Sequence, residues 1–390
     1  MAEKAFITSE VLKWARSSAK ISVEDAAKKA SVPPERYLSW EEGKDFPTIR
    51  QAKILAKFFR RAFSLFFLPE IPKDFQPLKD YRRNDAEELD TASLFIIRDI
   101  QEKQGWISEL FEETDETVLP FVGRFTIDDE PETVAKNILE TLKINPSSYK
   151  KNPITEWIEK AEKAGIFISR ASNHHSRMLL DKDLIKGFAI ADRYAPFVFI
   201  NSKDWSAPQL FTLVHELAHI WIAKSGISNE IDINLNDTPK SKLHPVEVFC
   251  NQVAANALIP RKLITQLGKD VFTSHAQIFN QAKELGVSSF ALLVRALNLS
   301  LINHSEYQEL KQHAQKEFEK FLEKERIKKE KQKERKGGPD PYLLRLHKNS
   351  KLFTRIVMDS FNNGSLSPSI ASNLLNTQTN KFSKFEKLLA

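Results

Sequence analysis

The run Phe211-Thr212-Leu213-Val214-His215-Glu216-Leu217-Ala218-His219-Ile220-Trp221 decides how this sequence is read. His215 and His219 are four residues apart, so on a helix both imidazoles project from one face and can share one ion, with Glu216 beside it. Leu213, Val214, Leu217, Ala218, Ile220 and Trp221 leave almost no polar face. Three ionisable groups in a buried helix are costly unless they are paired or coordinated. A chain of this size and composition shows the His-Glu-x-x-His spacing by chance about 0.02 times, so coincidence is a minor concern. Two plainer readings compete: satisfied core histidines, and a metal that serves structure alone. Ser206 with Gln209 three residues later reads as a capping box, with Pro208 tolerated in the first turn, which predicts a helix over 206–224.

A catalytic zinc site has three protein ligands and leaves a fourth position for water, so a third ligand is needed. Ile222 and Ser225 stand where the extended metzincin layout has its Gly and third His, which excludes that layout. The downstream candidates are Glu230, Asp232, Asp237, His244 and Glu247. Glu247 is favoured. It is the only acid in a second apolar helix, from Pro245 to before Pro260, among Val246, Val248, Phe249, Cys250, Val253, Ala254 and Ala257. A lone carboxylate there needs a partner that a metal would supply; the competing reading is an exposed first-turn Glu favoured by the helix dipole. Asn251, four residues on, shares the face of Glu247 and is a candidate support for a ligand. Cys250 reads as a small core residue.

Upstream, Gly165–Ile168, Gly187–Ile190 and Phe197–Ile200 are short β-rich runs bounded by turn residues, read as a three-stranded sheet. Helical spacing recurs around Ala92–Thr114, Glu132–Leu142, 275–284 and 288–298. At the N-terminus it marks residues 9–19, 22–30, 34–42 and 48–59, with Ser9, Ser22 and Thr48 as N-caps, Pro34 in a first turn and Gly43 as a stop. Pro69, Pro72 and Pro77 place a boundary near 70–80. Residues 311–336 alternate Lys and Glu and read as a solvated helix ending at Gly337-Gly338-Pro339; a basic nucleic-acid arm is the sharper alternative. The tail from Tyr342 to Ala390 reads as three short helices, Ser367-Pro368 opening the second. The fold class is mainly α with a small β-sheet (α+β).

Composition narrows the function. With 41% hydrophobic residues and 11 Gly in 390, the chain has material for real cores and for two or three domains. One cysteine, Cys250, excludes internal disulfides and Cys-rich zinc modules, so a metal must be held by His and carboxylate, and a reducing cytoplasm is expected. No apolar run reaches the ~18 residues of a membrane span, and Met1-Ala2-Glu3-Lys4 lacks a secretory layout. No membrane partner is expected. The net charge of +6 is unevenly placed: residues 1–61 carry 13 Lys and Arg against 8 acids, and 311–336 carry 11 against 6. His174-His175 lies in a polar loop and reads as an exposed pair rather than a second metal site.

Four stretches together resemble the ImmA/IrrE family of bacterial zinc metallopeptidases: Gly187-Phe188-Ala189-Ile190-Ala191-Asp192, Pro196-Phe197-Val198-Phe199-Ile200-Asn201, the Phe211–His219 run, and Glu247-Val248-Phe249-Cys250-Asn251-Gln252-Val253-Ala254-Ala255. Leu12–Gly43 resembles an Xre-type helix-turn-helix with its ending Ser39-Trp40-Glu41-x-Gly43, and Gly337-Gly338-Pro339-Asp340 looks like the C-terminal extension of long members. The implied division is an Xre-like helix-turn-helix domain over 1–70, a helical connector over 71–135, a zincin-like metallopeptidase domain over 136–305, and a charged helix with a helical extension over 306–390.

The resemblance implies Zn2+ held by His215, His219 and Glu247, with Glu216 as general base. It also implies cleavage of a specific repressor or antitoxin-like protein, which derepresses stress, mobile-element or defence genes. An oxyanion donor is sought in Tyr194 or His244, and an extended substrate is expected to pair along Phe197–Asn201 as a sheet edge. In the helix-turn-helix, Glu35, Arg36 and Ser39 would face a DNA groove, while Lys28, Lys29, Arg50 and Lys53 would track the backbone. Val23, followed by Glu24-Asp25, replaces the Gln that the Xre pattern often places at the start of the preceding helix, which removes a phosphate contact. Two roles stay open for this module: binding double-stranded DNA, or a purely protein-docking role in which it recognises the substrate repressor or a neighbouring toxin. A different class of function is a DNA-binding regulator or antitoxin that keeps the zinc fold as a non-hydrolytic sensor or scaffold.

Overall fold

Four helices open the chain, and their ends explain where they lie: Ser9–Ser17 (α1), Val23–Ala30 (α2), Pro34–Glu41 (α3) and Ile49–Phe58 (α4). The computed structural model describes residues 3–72, 88–175, 178–228, 244–334, 338 and 340–389. Ser22 accepts the Asp25 N–H at 3.0 Å, and Thr48 with Gln51 closes a reciprocal capping box. Ser9 is instead the first residue of α1, with Thr8 before it, and Gly43 follows α3 at φ +72°. Val11, Leu12, Trp40, Leu55 and Phe59 bury the inner faces. These helices belong to a first compact unit, 1–78 with 88–99 and 174–179.

The helix Thr91–Glu113 (α5) contributes residues 91–99 to that unit and the rest to a second, which also holds 100–173 and 180–390. Pro131–Leu142 (α6) and Pro153–Lys163 (α7) follow, each with Pro in its first turn. The strands are Phe167–Ala171 (β1), Asn173–His175 (β2), Met178–Leu179 (β3), Gly187–Ile190 (β4) and Phe197–Asn201 (β5). Next come Ser206–Trp221 (α8), Gly226–Ser228 (β6) and Pro245–Leu258 (α9). The β2–β3 pair is a separate two-stranded ladder.

The main sheet has four strands in the order β1-β5-β4-β6, one more than expected. Three residues are too few for alternation to mark β6 in sequence. The expectation that Phe197–Asn201 is an open edge is overturned: β5 pairs parallel with β1, Phe167 opposite Phe197, and antiparallel with β4, Phe188 opposite Phe199. Its backbone groups are already used, so a peptide cannot add there. Among the described residues β1 and β6 flank the sheet.

One face of the sheet, through Ile168, Ala189, Val198 and Ile200, shares a core with α6, α7, α8 and α9. On the other, Phe167 and Phe197 stack at 4.7 Å and meet Phe353. Phe353 comes from the tail, where four α-helices replace the expected three: Pro341–Asn349, Lys351–Asn362, Pro368–Leu374 and Ser383–Leu389. Ser367 caps the third of these, not the second. The tail is stitched down by polar contacts as well as by Phe353. Glu162 accepts from the Ser350 hydroxyl at 2.7 Å and the Lys351 N–H at 2.9 Å, satisfying the first turn of the helix that carries Phe353. Buried Lys103 donates to Asn349 Oδ1 at 2.8 Å.

After α9 come Arg261–Leu267 (α10), His275–Leu285 (α11), Ser289–Asn298 (α12) and His304–Glu334 (α13). The Lys/Glu-rich helix α13 thus starts seven residues before the charge alternation does, because Tyr307 and Leu310 anchor its first turns in the core. The architecture is mainly helical with a small mixed sheet, an α+β fold. No described helix is long and apolar enough to cross a membrane.

Candidate metal centre

Helix α8 is buried from Gln209 to Trp221, as a helix apolar all round must be. Its start differs from the expected capping box: Trp205 is the residue before the first turn, and the Gln209 side chain turns back to donate to the Asp204 carbonyl at 2.6 Å. Trp221 fixes the far end, stacked on Phe121 at 4.5 Å and donating to Asn137 Oδ1 at 2.9 Å. Helix α9 lies against α8 and carries Glu247, 2% exposed, toward it.

These two helices bring His215, His219 and Glu247 to one point. The two Nε2 atoms are 3.1 Å apart; His215 Nε2 is 3.1 Å from Glu247 Oε2, and His219 Nε2 is 3.2 Å from Glu247 Oε1. Their three ligand atoms form the one such His/Cys/Asp/Glu group found among the described residues, and all three residues are buried. The Nδ1 atoms face outward to oxygens: His215 Nδ1 to Asn251 Oδ1 at 2.9 Å, and His219 Nδ1 to the Lys224 carbonyl at 3.1 Å. A carbonyl oxygen can only accept, so His219 Nδ1 carries a proton, and in the neutral ring Nε2 presents its lone pair; the Asn251 oxygen orients His215 in the same way. Two imidazole lone pairs and a carboxylate converging in a buried space form a donor set that suits a cation, and zinc in particular.

Electrostatics follow the burial. Desolvation pushes His215 below the ordinary imidazole value. Burial opposes ionisation of Glu247, but charge and hydrogen bonds from the two imidazoles outweigh it and hold the carboxyl at about 2; burial likewise opposes protonation of His219, but Cys250 and Glu247 outweigh it and raise that imidazole. Burial pushes the Cys250 thiol up, against the pull of nearby His219, so it stays protonated at neutral pH and is a poor ligand.

Glu216 is fully buried and sits over β4. Gly187 makes this approach possible: a Cβ there would lie 2.6 Å from Thr212 Cγ2, 2.9 Å from the Phe199 carbonyl oxygen and 3.0 Å from Glu216 Oε1. The sequence marks Gly187 only as a strand start, and the Lys224 carbonyl, being backbone, leaves no residue-type signal at all.

The other candidates lie elsewhere. His244 is the exposed N-cap of α9 and accepts the Val246 N–H at 3.2 Å, a capping task. Tyr194 is half-buried in the turn between β4 and β5, its N–H donating to Asp192. Glu230, Asp232 and Asp237 lie outside the described residues. His174, expected to be exposed, is buried against Phe95 at 5.6 Å. In the first unit Lys28, Lys29, Arg36, Arg50 and Lys53 are exposed. Arg36 lies 3.9 Å from Asp45, and the Ser39 hydroxyl is turned to the Arg36 carbonyl at 2.7 Å.

A buried pair of imidazoles four residues apart with a carboxylate from a second helix is the donor arrangement of a metallopeptidase. Residues 161–297 match the family model Peptidase_M78, described as the IrrE N-terminal-like domain. The matched span contains His215, Glu216, His219 and Glu247, so the chain carries a metallopeptidase-family domain, for which the implied metal is typically zinc. No curated protein matches the chain.

Proposed function

We propose that this protein is a zinc-dependent endopeptidase that cleaves a specific repressor or antitoxin-like protein and thereby derepresses stress, mobile-element or defence genes. The observation that carries the reading is the convergence of His215 Nε2, His219 Nε2 and Glu247 within 3.2 Å, with Glu216 adjacent in the chain. Zinc held by these three would supply a Lewis acid that brings the pKa of water toward ~7 and polarises a carbonyl. Glu216 would take a proton from water and return it to the leaving amine. Asn251 and the Lys224 carbonyl keep both imidazoles in the ligating orientation.

The first unit supports a localising role. Helices α2 and α3 are joined by Ser31–Pro33, with Ser31 at φ +58°, in the manner of a helix-turn-helix. Arg50, Lys53 and Lys57 line one shallow face of α4 and suit a phosphate backbone, whereas α3, the reading helix of such a module, offers one cation, Arg36, beside an acid. Its task is therefore to bring the peptidase to its protein partner, with duplex DNA as a sequence-indifferent surface. A regulator or antitoxin that never hydrolyses peptide is the competing class.

The deciding experiment measures zinc in the purified chain by elemental mass spectrometry and hydrolysis of the repressor or antitoxin-like protein encoded nearby. About one zinc per chain is expected, lost in folded His215→Ala and Glu247→Ala variants. Glu216→Gln should retain zinc while hydrolysis falls about 10²–10⁴-fold. A folded wild type that holds no metal under zinc-replete conditions would end the peptidase reading; repression or toxin neutralisation unchanged in Glu216→Gln, with no cleavage by the wild type, would leave the regulator.

A further inference from the structure

A cavity of about 840 Å³ lies beside the first turns of α8. Its walls are aromatic: Trp205 and Phe211 from the α8 end, Phe290 from α12, Phe318 and Phe321 from α13. The rings support one another, Trp205 with Phe321 at 5.4 Å and Phe290 with Phe318 at 6.4 Å, all edge to face. Phe318 stays 41% exposed although it faces this apolar space. A hollow of several hundred Å³ with aromatic walls and polar groups around them has the form of a small-molecule site.

The charges at its border are unequal in a telling way. Glu317 is bound to Lys320 at 2.8 Å, and Asp204 Oδ1 accepts the Trp205 N–H at 3.0 Å. Half-buried Lys186 and exposed Lys283 also line the cavity, and among the described residues neither side chain has a hydrogen-bond or ion-pair partner. The acids are engaged and two ammonium groups are not. An apolar body with a negative head would fill the aromatic space and satisfy these cations.

We propose that this cavity binds an amphiphilic carboxylate, an alkyl or aromatic acid whose body lies among Trp205, Phe211, Phe290, Phe318 and Phe321 and whose head meets Lys186 and Lys283. The site is distinct from the His215–His219–Glu247 centre but shares an element with it. Thr212 lines the cavity, and its methyl group closes on Gly187 next to Glu216. Lys186 immediately precedes that glycine. An occupant therefore presses on the same turn of α8 that positions Glu216.

The test is calorimetric titration of the full chain with dodecanoate and, separately, with dodecanol, which has the same alkyl chain without the charge. Saturable binding of one dodecanoate per chain is expected. Lys186→Ala with Lys283→Ala should weaken dodecanoate about tenfold and leave dodecanol unchanged. Ala314→Trp, which places an indole in the hollow, should abolish both; Phe318→Asp, at a half-exposed ring, is the second variant and should reject the anion. Absence of saturable dodecanoate binding, or binding that folded Ala314→Trp and Phe318→Asp leave intact, overturns the site. Equal affinity for dodecanol and dodecanoate in the wild type overturns the assignment of the head group. Heat of binding is read without any peptide hydrolysis, so this outcome stands apart from that of the zinc and cleavage assays.

Discussion

In the first unit buried Glu41 is paired with part-buried Arg16; in the second, His215, His219 and Glu247 are buried around a common point. Arg16 Nε and Nη2 donate to the two Glu41 oxygens at 2.8 and 2.9 Å, and Nη1 donates to the Ile21 carbonyl at 2.9 Å. Those donors match those acceptors, and the pair is complete. Around the imidazoles the sum is different, because both Nδ1 positions are engaged outward and neutral rings turn lone pairs inward beside a carboxylate. Burial of charge is thus no mark of function by itself. A cluster with more acceptors than donors is.

The strongest way to break this contrast is to halve the complete pair. Glu41→Ala leaves Arg16 without its partner and should cost about 3 kcal/mol in denaturant unfolding, with zinc content unchanged. Replacing both, Arg16→Met with Glu41→Leu, should recover most of that loss. If the single variant were as stable as the wild type, the pair would hold nothing together and the contrast would fail.

A smaller effect is expected at the outward side of the metal centre. Asn251→Ala removes the acceptor that orients His215 and should weaken zinc binding about 10–100-fold in a chelator competition, with little change in unfolding midpoint for the zinc-loaded chain. Unchanged affinity would mean that packing alone aims the ring.

The smallest effect concerns a third arrangement, in which cations crowd a base. His347 is pushed down to about 4 by burial, then by Arg170 and Lys351. A group with a depressed folded pKa binds its proton first in the unfolded chain, so its contribution to stability is present above about pH 6.5 and is lost as the pH falls toward 4. His347→Gln should flatten that part of the stability profile. Solvent screening at this half-exposed site keeps the change modest, and an acid limb identical in both proteins would discount the like-charge reading.

The same accounting of donors and acceptors explains what the sequence made legible. His215, Glu216 and Glu247 stood out because polar residues interrupt apolar runs at helical spacing, and that signal is local. The four N-terminal helices were legible for a similar reason, since Ser22 and Thr48 announce themselves as caps. The order of the strands was not, because the parallel pairing of β1 with β5 joins segments separated by β4, and nothing within Phe197–Asn201 distinguishes an interior strand from an edge. Ser206 and Gln209 had the right letters for a capping box, yet Gln209 found a nearer acceptor in the Asp204 carbonyl. His244 was a chemically sound ligand candidate whose nitrogen was taken by the Val246 N–H. Competition for partners, which spacing does not record, decided each of these cases.

The ring contacts of Phe353 with Phe167 and Phe197 also set an order of events during synthesis. The segment bearing both histidines leaves the ribosome well before the helix bearing Phe353, and at ~5–20 residues per second the interval is on the order of ten seconds. Through that interval the nascent sheet has its α8 layer but lacks its aromatic cover, and Glu162 has no helix end to cap. A chain assembled in this sequence acquires His215, His219 and Glu247 early and its finished scaffold late, which delays a fully formed metal centre until translation has passed the tail.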